Sequence, residues 1–492
     1  MSRISVQNLT FSYDGGIKNV FENVSFNIDT DWKLGFVGRN GRGKTTFLNL
    51  LLGKYPYRGE ISANVKFTYF PFTVTDKSLT TIEILKDICP EAEDWQILRE
   101  LSLLKTDDEI LYKPFANLSG GEQTKALLAA LFLNDGNFLL IDEPTNHLDE
   151  LSRKTVSAYL RRKKGFILVS HDRAFLDGCI DHVMSLNKTD VEIRGGNFSD
   201  WLRQQEARTA AEEAQNDRLK RDIAKLSASA EKTAVWADKT EASKYGKAKS
   251  GLKQDKGYVG HKAAKLMKRA KAVEERQFAA IEEKSKLLLN AETSEQLKLS
   301  PLVYRAERLA EFKEVEIVYG GKTVCAPVSL TVKRDERIAL CGANGCGKSS
   351  ILKLLVGENI PHNGIFTLFS GVVVSYIPQK LTLECETLSE FAKLHSVEEP
   401  IFRAVLTKMG FDKKDFQEKP SAYSEGQKKK VFLAKSLCEK AHLYIWDEPL
   451  NFLDVYARMQ IEKILTQYSP TMIFVEHDLS FRNAVATETV EM

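Results

Sequence analysis

Residues 38–46 read GRNGRGKTT, and residues 342–350 read GANGCGKSS. The glycines allow successive backbone N–H groups to turn toward a phosphate chain at the N-terminus of a helix, where the helix dipole also favours negative charge. In the first stretch Lys44 is expected to reach the β- and γ-phosphates of ATP, and Thr45 to hold Mg²⁺ through its hydroxyl. Each stretch therefore predicts a phosphate-binding loop.

The phosphate loop belongs to a motif set that occurs twice. LSGGEQ begins at residue 118, FLLIDEPTNHLD at 138 and SHD at 170, whereas the second copy has YSEGQK at 423, LYIWDEPLNFLD at 443 and EHD at 476. Equivalent residues are offset by 304, 305, 305 and 306 positions in the pairs Lys44/Lys348, Ser119/Ser424, Glu143/Glu448 and His171/His477. So constant an offset indicates tandem duplication of one domain.

Two acidic residues end an apolar run in each copy, as expected where a buried strand reaches a catalytic edge. The first acid of each pair is predicted to lie near the metal, and the second to polarise the attacking water. A histidine follows another apolar strand in each copy and is predicted to contact the γ-phosphate. The catalytic candidates are Glu143, Glu448, His171 and His477, and the first acids are Asp142 and Asp447.

LSGGEQ and YSEGQK each place a serine hydroxyl and glycine N–H groups at a helix N-terminus, which favours an anion. With these motifs, both copies resemble the ABC ATPase superfamily. The resemblance implies that each nucleotide lies between the phosphate loop of one domain and the signature motif of the other. Site 1 would join Lys44, Glu143 and His171 to Ser424 and Gly426, and site 2 would join Lys348, Glu448 and His477 to Ser119 and Gly121. Asp149 and Asp454 match the interface loop of the superfamily.

The resemblance and the loops together predict the full set of ATP contacts. Tyr13 and Tyr319 are expected to stack on adenine, with packing of an aromatic strand residue as the alternative. The Mg²⁺ ligands are expected to be Thr45, Asp142, Ser349, Gln379 and Asp447. The ATP-binding residues are expected to be Tyr13, Gly38, Asn40, Gly41, Gly43, Lys44, Thr45, Thr46, Ser119, Gly120, Gly121, Glu122, Tyr319, Gly342, Asn344, Gly345, Gly347, Lys348, Ser349, Ser350, Gln379, Ser424, Gly426 and Gln427.

The two sites are unequal in sequence. At the glutamine-loop position of the superfamily the second copy has Gln379, whereas the first has Phe72. Site 1 also receives the altered signature, in which Glu425 replaces a glycine and is expected to bring a carboxylate near the triphosphate. Because both departures fall on one site, we hypothesise that site 1 binds ATP but turns it over slowly, and that site 2 performs most of the hydrolysis.

Between the copies lies a basic insert. Residues 201–300 contain 22 Lys or Arg and 15 Asp or Glu, a net charge of +7, so the rest of the 492-residue chain has a net charge of −4. Residues 197–245 and 261–300 lack Gly and Pro and carry apolar residues at helical spacing, whereas residues 245–260 are rich in Gly and Lys. This pattern predicts a helical hairpin with a basic loop at its tip, with a mere spacer as the alternative.

The predicted tip has the composition of an RNA-binding element. Residues 239–271 contain eleven basic and two acidic side chains. Lysines there would neutralise rRNA and tRNA phosphates, and the tyrosines could stack on a base. The candidates are Lys244, Tyr245, Lys247, Lys249, Lys253 and Tyr258.

The fold class expected from these features is α/β, with two tandem ABC-type P-loop ATPase domains joined by a long α-helical hairpin linker. The expected boundaries are 1–196, 197–305 and 306–492. No stretch approaches the ~18 uninterrupted apolar residues of a membrane-spanning helix, and the N-terminus lacks the apolar core of an export signal. The sequence therefore predicts a cytoplasmic monomer without a membrane domain.

Two ATPase domains with a cationic linker and PTNHLD at residues 144–149 resemble the ABC-F class of translation factors. GYVGHKAAKLMKRAK from residue 257, together with Phe72, resembles its Lsa/Vga-like antibiotic-resistance members, the ribosome-protection proteins. The resemblance implies ATP-dependent binding to the 70S ribosome, with the linker directed at 23S rRNA and peptidyl-tRNA. It also implies displacement of lincosamides, streptogramin A or pleuromutilins, and release on hydrolysis.

Two other functions remain open for this sequence. One is a housekeeping ABC-F factor that adjusts translation without conferring resistance. The other is the ATPase subunit of a separate membrane permease, which the fused domains and the long cationic insert disfavour. DNA is not an expected partner, because a DNA-repair ATPase of this type would need far longer coiled coils or zinc modules, and the seven cysteines include no CxxC pair.

Overall fold

The computed structural model describes residues 3–13, 19–134, 136–146, 148–186, 191–242, 298–320 and 322–492. By its contacts the chain divides into two compact units, Met1–Trp201 with Gln296–Met492, and Leu202–Glu295. The first unit contains both copies of the motif set. Below, copy 1 denotes the residues before 197 and copy 2 those after 305.

Copy 1 is built on a six-stranded sheet of order β5-β6-β7-β3-β8-β9 and a three-stranded antiparallel sheet of order β2-β1-β4 within the described residues. All neighbours in the larger sheet pair in parallel except β8 and β9. The strands are β1 (Arg3–Phe11), β2 (Phe21–Asp29), β3 (Lys33–Gly38), β4 (Arg58–Ser62), β5 (Lys66–Phe70), β6 (Asn137–Asp142), β7 (Phe166–Val169), β8 (His182–Leu186) and β9 (Val191–Gly195). The helices are α1 (Lys44–Leu51), α2 (Thr81–Ile88), α3 (Asp94–Leu103), α4 (Gly120–Leu131), α5 (Glu150–Arg161) and α6 (Arg173–Cys179), with 3₁₀ turns at Asp108–Tyr112 and Phe115–Asn117.

Copy 2 repeats this plan with a five-stranded parallel sheet of order β15-β16-β17-β13-β18, and β10 pairs with β11, β12 and β14 in a second sheet of the described chain. Its strands are β10 (Arg308–Tyr319), β11 (Lys322–Thr323), β12 (Val328–Lys333), β13 (Arg337–Cys341), β14 (His362–Leu368), β15 (Val374–Ile377), β16 (Leu443–Asp447), β17 (Met472–Val475) and β18 (Glu488–Glu491). Its helices are α8 (Lys348–Val356), α9 (Leu388–Leu394), α10 (Glu399–Lys408), α11 (Glu425–Cys438), α12 (Val455–Tyr468) and α13 (Leu479–Val485), with a 3₁₀ turn at Pro420–Ala422. The expected α/β class with two tandem ATPase domains is confirmed.

The central strands are apolar throughout because both faces of each parallel sheet are covered. All four residues of β7 (FILV) and of β17 (MIFV) are buried. In copy 1, one face of β3 and β6 packs with α1 and the antiparallel sheet in a cluster that includes Phe36, Phe47 and Leu140. In copy 2, α11 and α12 cover the opposite face, where Trp446 and Phe474 are fully buried. These cores fix the strand ends at which the motifs lie.

Between the copies, α7 (Phe198–Ala242) is a helix of 45 residues. It agrees with the helix predicted by the run of residues without Gly or Pro that starts at 197. Residues 261–297 of the predicted second arm and the whole predicted tip lie outside the described residues, and residues 298–300 are not helical. The tip candidates concerned are Lys244, Tyr245, Lys247, Lys249, Lys253 and Tyr258. The hairpin and its boundaries therefore stay predictions.

A glycine in the antiparallel sheet recurs in both copies. Gly59 and Gly364 have φ of +100° and +84°, in the left-handed region that favours glycine. A Cβ at Gly364 would lie 2.2 Å from the carbonyl oxygen of Glu314, where the pairing of β10 with β14 shifts register. At Gly59 the nearest atom is the carbonyl oxygen of Asn8 at 2.5 Å. Close backbone approach and positive φ thus both require glycine here.

We expect Gly364→Ala to lower the free energy of unfolding by about 3 kcal/mol, because backbone strain and overpacking add. The control is Gly371→Ala, since Gly371 has a similar φ of +81° but nothing within 4 Å of the added Cβ. It should lose only about 1 kcal/mol, from backbone strain alone. Urea unfolding followed by circular dichroism measures both losses. Equal losses would show that the contact with Glu314 has no energetic effect.

Candidate nucleotide-binding sites

Each phosphate loop connects a central strand to a helix. The loop after β3 enters α1 through Gly41 and Gly43, which have φ of +78° and +106°, and the loop after β13 enters α8 through Gly345 and Gly347. Among the described residues, an added Cβ at Gly41 or Gly345 would meet no atom within 4 Å, so the space beside these two glycines is open. The helix N-terminus supplies a favourable dipole for phosphate.

The two loop lysines point back into their own loops. Lys44 Nζ donates to the carbonyl oxygen of Gly38 at 2.7 Å and lies 3.3 Å from Asn40 Oδ1. Lys348 Nζ donates to the carbonyl oxygens of Gly342 and Ala343 at 2.9 and 2.8 Å. In both copies the ammonium group therefore lies within the curve of the loop, where a β- or γ-phosphate could bind.

In each copy two of the predicted Mg²⁺ ligands, a hydroxyl and a carboxylate, lie together, whereas Gln379 donates to Glu448 and its role as a ligand stays a prediction. Thr45 Oγ1 donates to Asp142 Oδ2 at 3.0 Å, and Ser349 donates to Asp447 in the same way. Asp447 Oδ1 is buried and has no hydrogen-bond partner in the described part of the chain. A hydroxyl beside a carboxylate with a spare oxygen fits Mg²⁺, which uses one or two protein oxygens together with water and substrate phosphates.

The second acid of copy 2 is held by three polar side chains. Glu448 Oε1 accepts from Gln379 Nε2 at 2.9 Å, and Oε2 accepts from Asn451 Nδ2 at 2.6 Å. His477 Nε2 lies 3.6 Å from Oε1. Burial alone would raise the pKa of Glu448, but the interactions with His477 and Gln379 outweigh it and lower the pKa to about 2. This carboxylate is ionised at neutral pH, so its negative charge is available to polarise an attacking water.

The second acid of copy 1 has a different environment. Loss of water around Glu143, followed by the nearby charge of Asp142, raises the pKa of Glu143 to about 8. Its Oε1 lies 3.3 Å from His171 Nε2 and has no hydrogen bond within the described residues. His171 Nε2 also lies 3.1 Å from Asn40 Oδ1, and burial keeps the pKa of His171 well below its ordinary value. Phe72, at the position of Gln379, has no donor to offer the carboxylate.

The signature motifs begin helices α4 and α11. Ser119 and Ser424 are the N-caps, and each serine forms a capping box with the residue three positions later, Glu122 or Gln427. Glu425 was expected to bring its carboxylate near the triphosphate of site 1. In the structure its Oε1 lies 2.8 Å from Lys428 Nζ, one turn further along α11, so much of its charge is balanced locally.

Residues of copy 2 close over the phosphate loop of copy 1. The backbone N–H of Asn40 donates to Asp454 Oδ2 at 3.0 Å, and Asn40 Nδ2 donates to the carbonyl oxygen of Phe452 at 2.8 Å. An added Cβ at Gly426 would lie 3.9 Å from Asn40 Nδ2. The structure thus brings the interface loop and signature of copy 2 to the loop of copy 1, as site 1 requires.

The corresponding loop of copy 1 is less engaged with site 2. Asp149 Oδ1 caps α5 by accepting from the N–H of Ser152 at 2.9 Å. In the part of the chain that the structure describes, no hydrogen bond joins Asp149 to the second phosphate loop. Arg482 donates to Glu150 Oε2 at 2.7 Å, and Arg173 is paired with Glu462, so the copies remain joined by ion pairs beside the sites.

The two predicted adenine tyrosines lie beside the phosphate loops. The hydroxyl of Tyr13 lies 2.6 Å from Thr46 Oγ1, and that of Tyr319 lies 3.1 Å from Ser350 Oγ. Both side chains are about half exposed, which leaves ring surface for a base. Stacking on adenine stays a prediction, as do the contacts of the remaining loop residues with ATP.

Sequence reasoning missed several polar residues around the sites. Tyr69 donates to Asp142 at 3.0 Å, and Asn451 donates to Glu448. An arginine also pairs with the aspartate after each predicted catalytic histidine, in Arg153–Asp172 at 2.9 Å and Arg458–Asp478 at 3.1 Å. The two arginines are 305 residues apart, so aligning the copies beyond their motifs would have found them.

Comparison with known proteins agrees with this geometry. The sequence model of a family described as ABC transporter matches residues 21–146 and 325–451, which together are just over half of the chain. The chain belongs to the ABC transporter family. It carries two of the family's ATPase domains and is an ATP hydrolase. No helix in the described part of the chain is long and apolar enough to cross a bilayer.

Curated relatives and solved structures match the chain along nearly its whole length. The uncharacterized ABC transporter ATP-binding protein YfmM of Bacillus subtilis is 27% identical, covering 99% of this chain and 98% of the relative. The ribosome protection protein VmlR of the same species is 27% identical, covering 96% and 83%. An archaeal ribosome recycling factor, aABCE1, solved with the stalk protein aP1, shares the fold with a TM-score of 0.63 and 18% identity, covering 98% and 87%.

The different environments of the two glutamates predict unequal loss on substitution. We expect Glu448→Gln to lower ATP turnover at its site by about 100-fold or more, because an ionised general base is removed. Glu143→Gln should leave more than about two thirds of the total rate, because burial and the charge of Asp142 raise the pKa of Glu143 and favour its protonated form, which cannot accept a proton. Steady-state phosphate release measures both variants. Equal fractional losses would contradict the inequality of the sites.

Proposed function

We propose that this chain is an ABC-F ATPase of the Lsa/Vga-like, antibiotic-resistance type, which binds the bacterial 70S ribosome in its ATP-bound state. The observation that carries the proposal is the similarity to a relative named as a ribosome protection protein, which extends over 96% of the chain. The concentration of positive charge between the two ATPase domains supports it, because phosphate neutralisation is the main source of affinity for RNA.

In the proposed cycle, ATP is bound between the two copies and draws them together. Site 1 is already bridged by Asn40, Asp454 and Phe452. Closure is therefore completed mainly at site 2, when Ser119 and Gly121 approach the nucleotide on Lys348. Hydrolysis at Glu448 then reopens site 2 and releases the protein from the ribosome.

The interdomain segment is the proposed effector of this cycle. In the ATP-bound state it would reach toward the peptidyl-transferase centre, where its lysines neutralise phosphates of 23S rRNA and peptidyl-tRNA. Bound lincosamide, streptogramin A or pleuromutilin antibiotics would be displaced. The tyrosines Tyr245 and Tyr258 offer ring faces on which an unpaired base can stack.

A housekeeping role in translation is the second candidate. The ATP-binding protein Uup of Caulobacter vibrioides is 28% identical, covering 97% of this chain and 75% of the relative. A relative without a resistance name is therefore as similar as the ribosome protection protein. A permease-associated ATPase is the candidate of another class, and binding to ribosomes separates it from both others.

Ribosome binding is tested with the Glu143→Gln/Glu448→Gln variant, which should hold ATP without turning it over. We expect this variant to sediment with 70S ribosomes in ATP and Mg²⁺, because the closed state persists. The matched control carries Lys44→Ala and Lys348→Ala in addition. Loss of the two loop ammonium groups should prevent nucleotide binding, so this protein should no longer sediment with ribosomes. Absence of the first variant from the ribosome fraction in ATP would refute the ribosome proposal.

Resistance is tested by expressing the chain in a drug-sensitive bacterium. We expect the inhibitory concentrations of clindamycin, tiamulin and a streptogramin A to rise at least about fourfold, since a fourfold change in effective affinity needs only about 0.8 kcal/mol. Erythromycin is measured beside them. The control is the Glu448→Gln variant, which is expressed in the same way but has lost most of its ATP hydrolysis. Unchanged values for all four drugs, with ribosome binding intact, would favour the housekeeping function.

A further inference from the structure

A buried lysine lies behind site 2 on the signature helix of copy 2. Lys429 is on the second turn of α11, and its side chain is only 3% exposed. Its Nζ lies 3.3 Å from the carbonyl oxygen of Asp447 and 3.4 Å from that of Pro378. Few lysines are buried to this extent without a role for the charge, because desolvation of an ammonium group is costly.

The two carbonyls belong to the two segments that carry Glu448 and Gln379. Asp447 ends β16 and immediately precedes Glu448, whereas Pro378 immediately precedes Gln379. Gln379 in turn donates to the Glu448 carboxylate at 2.9 Å. A single ammonium group therefore holds the backbone of the carboxylate strand and the backbone of the glutamine loop at a fixed separation.

Carboxylates surround this ammonium group. Glu476 is 4% exposed, and it accepts from the backbone N–H of Leu450 at 2.7 Å and of His477 at 3.1 Å. Burial lowers the pKa of Lys429, and Glu476, Asp447 and Glu448 oppose that shift in this order. The carboxylates thus offset part of the cost of burying this ammonium group.

Copy 1 lacks both members of this arrangement. Thr124 occupies the position of Lys429, and its hydroxyl donates within α4 to the carbonyl oxygen of Gly120 at 2.8 Å. Ser170 occupies the position of Glu476 and lies 3.3 Å from Thr145 Oγ1. The buried cation and the buried carboxylate are therefore both present in the copy whose glutamate accepts a hydrogen bond from a glutamine-loop side chain, and both absent from the other.

We propose that Lys429 is a positioning residue for ATP hydrolysis at site 2, which aligns the glutamine loop with Glu448 through the carbonyls of Pro378 and Asp447. It does not contact the nucleotide. The inference rests on the proposed catalytic role of Glu448 and adds a requirement specific to one site. Because Lys429 leaves the phosphate loop untouched, its loss acts on turnover rather than on ATP binding.

The test measures steady-state kinetics in two backgrounds, each with one active site. In Glu143→Gln protein, where site 2 reports, Lys429→Met should lower kcat about tenfold and change KM less than about twofold. In Glu448→Gln protein, where site 1 reports, kcat should change less than about twofold. Equal fractional losses in both backgrounds, or a raised KM with an unchanged kcat, would overturn the proposal.

The matched control is Lys435→Met on the same helix. Lys435 is also buried, but its Nζ contacts Glu439 at 3.1 Å and the carbonyl oxygen of Tyr376 at 3.4 Å. Removal of this second buried lysine should leave kcat at site 2 within about twofold of the reference, because neither Pro378 nor Asp447 loses a donor. A loss equal to that of Lys429→Met would assign the effect to helix packing and overturn the proposal.

Misfolding is addressed by removing both buried charges. Glu476→Gln keeps the acceptor for Leu450, and Lys429→Met/Glu476→Gln should retain the thermal unfolding midpoint of Glu476→Gln while its kcat is about tenfold lower. Equal kcat in these two proteins would show that Lys429 only neutralises Glu476. Absence of turnover in the Glu143→Gln reference would instead overturn the assignment of Glu448, on which the inference rests.

Discussion

The parallel pairing of three strands in each copy determines the position of every catalytic group. β3 lies beside β7 and β7 beside β6, and β13, β17 and β16 repeat this order. The carboxyl ends of parallel strands meet at one edge of the sheet. The phosphate loop, the acid pair and the histidine each follow one of these strands, so the strand order alone brings them together there. The same edge faces the other copy. Duplication of one domain is thus sufficient to form sites at which both copies contribute residues.

The two sites differ in the pKa of their second acid, whereas the backbone at this residue is the same in both. Glu143 and Glu448 both follow a central strand, and both have a positive φ, of 49° and 47°. Their pKa values nevertheless move in opposite directions, because three polar side chains surround Glu448 whereas Glu143 is desolvated next to Asp142. A general base must be unprotonated to act. This difference supports the hypothesis that site 2 performs most of the hydrolysis.

Much of the site was predictable because its motifs lie at strand ends and helix starts, which apolar runs and glycine spacing reveal. What the sequence did not reveal were contacts between elements distant in the chain, such as Tyr69 with Asp142 and Lys429 with Pro378. Glu425 is instructive for another reason. Its ion-pair partner, Lys428, lies three residues later on the same helix. Because side chains at this spacing are neighbours on a helix, the sequence alone could have predicted that the carboxylate is partly neutralised.

The signature helix of copy 2 takes part in both sites. Its N-cap, Ser424, belongs to site 1, and Lys429 contacts the backbone of site 2. These residues are five positions apart, about 8 Å along a helix axis. A rigid helix cannot shift at one end without moving the other, so a shift of Ser424 relative to Asn40 would also move Lys429. The copy 1 helix, with Thr124 bonded only within itself, has no such lysine. Any coupling that this helix carries therefore acts in both directions, because an equilibrium coupling between two sites is reciprocal.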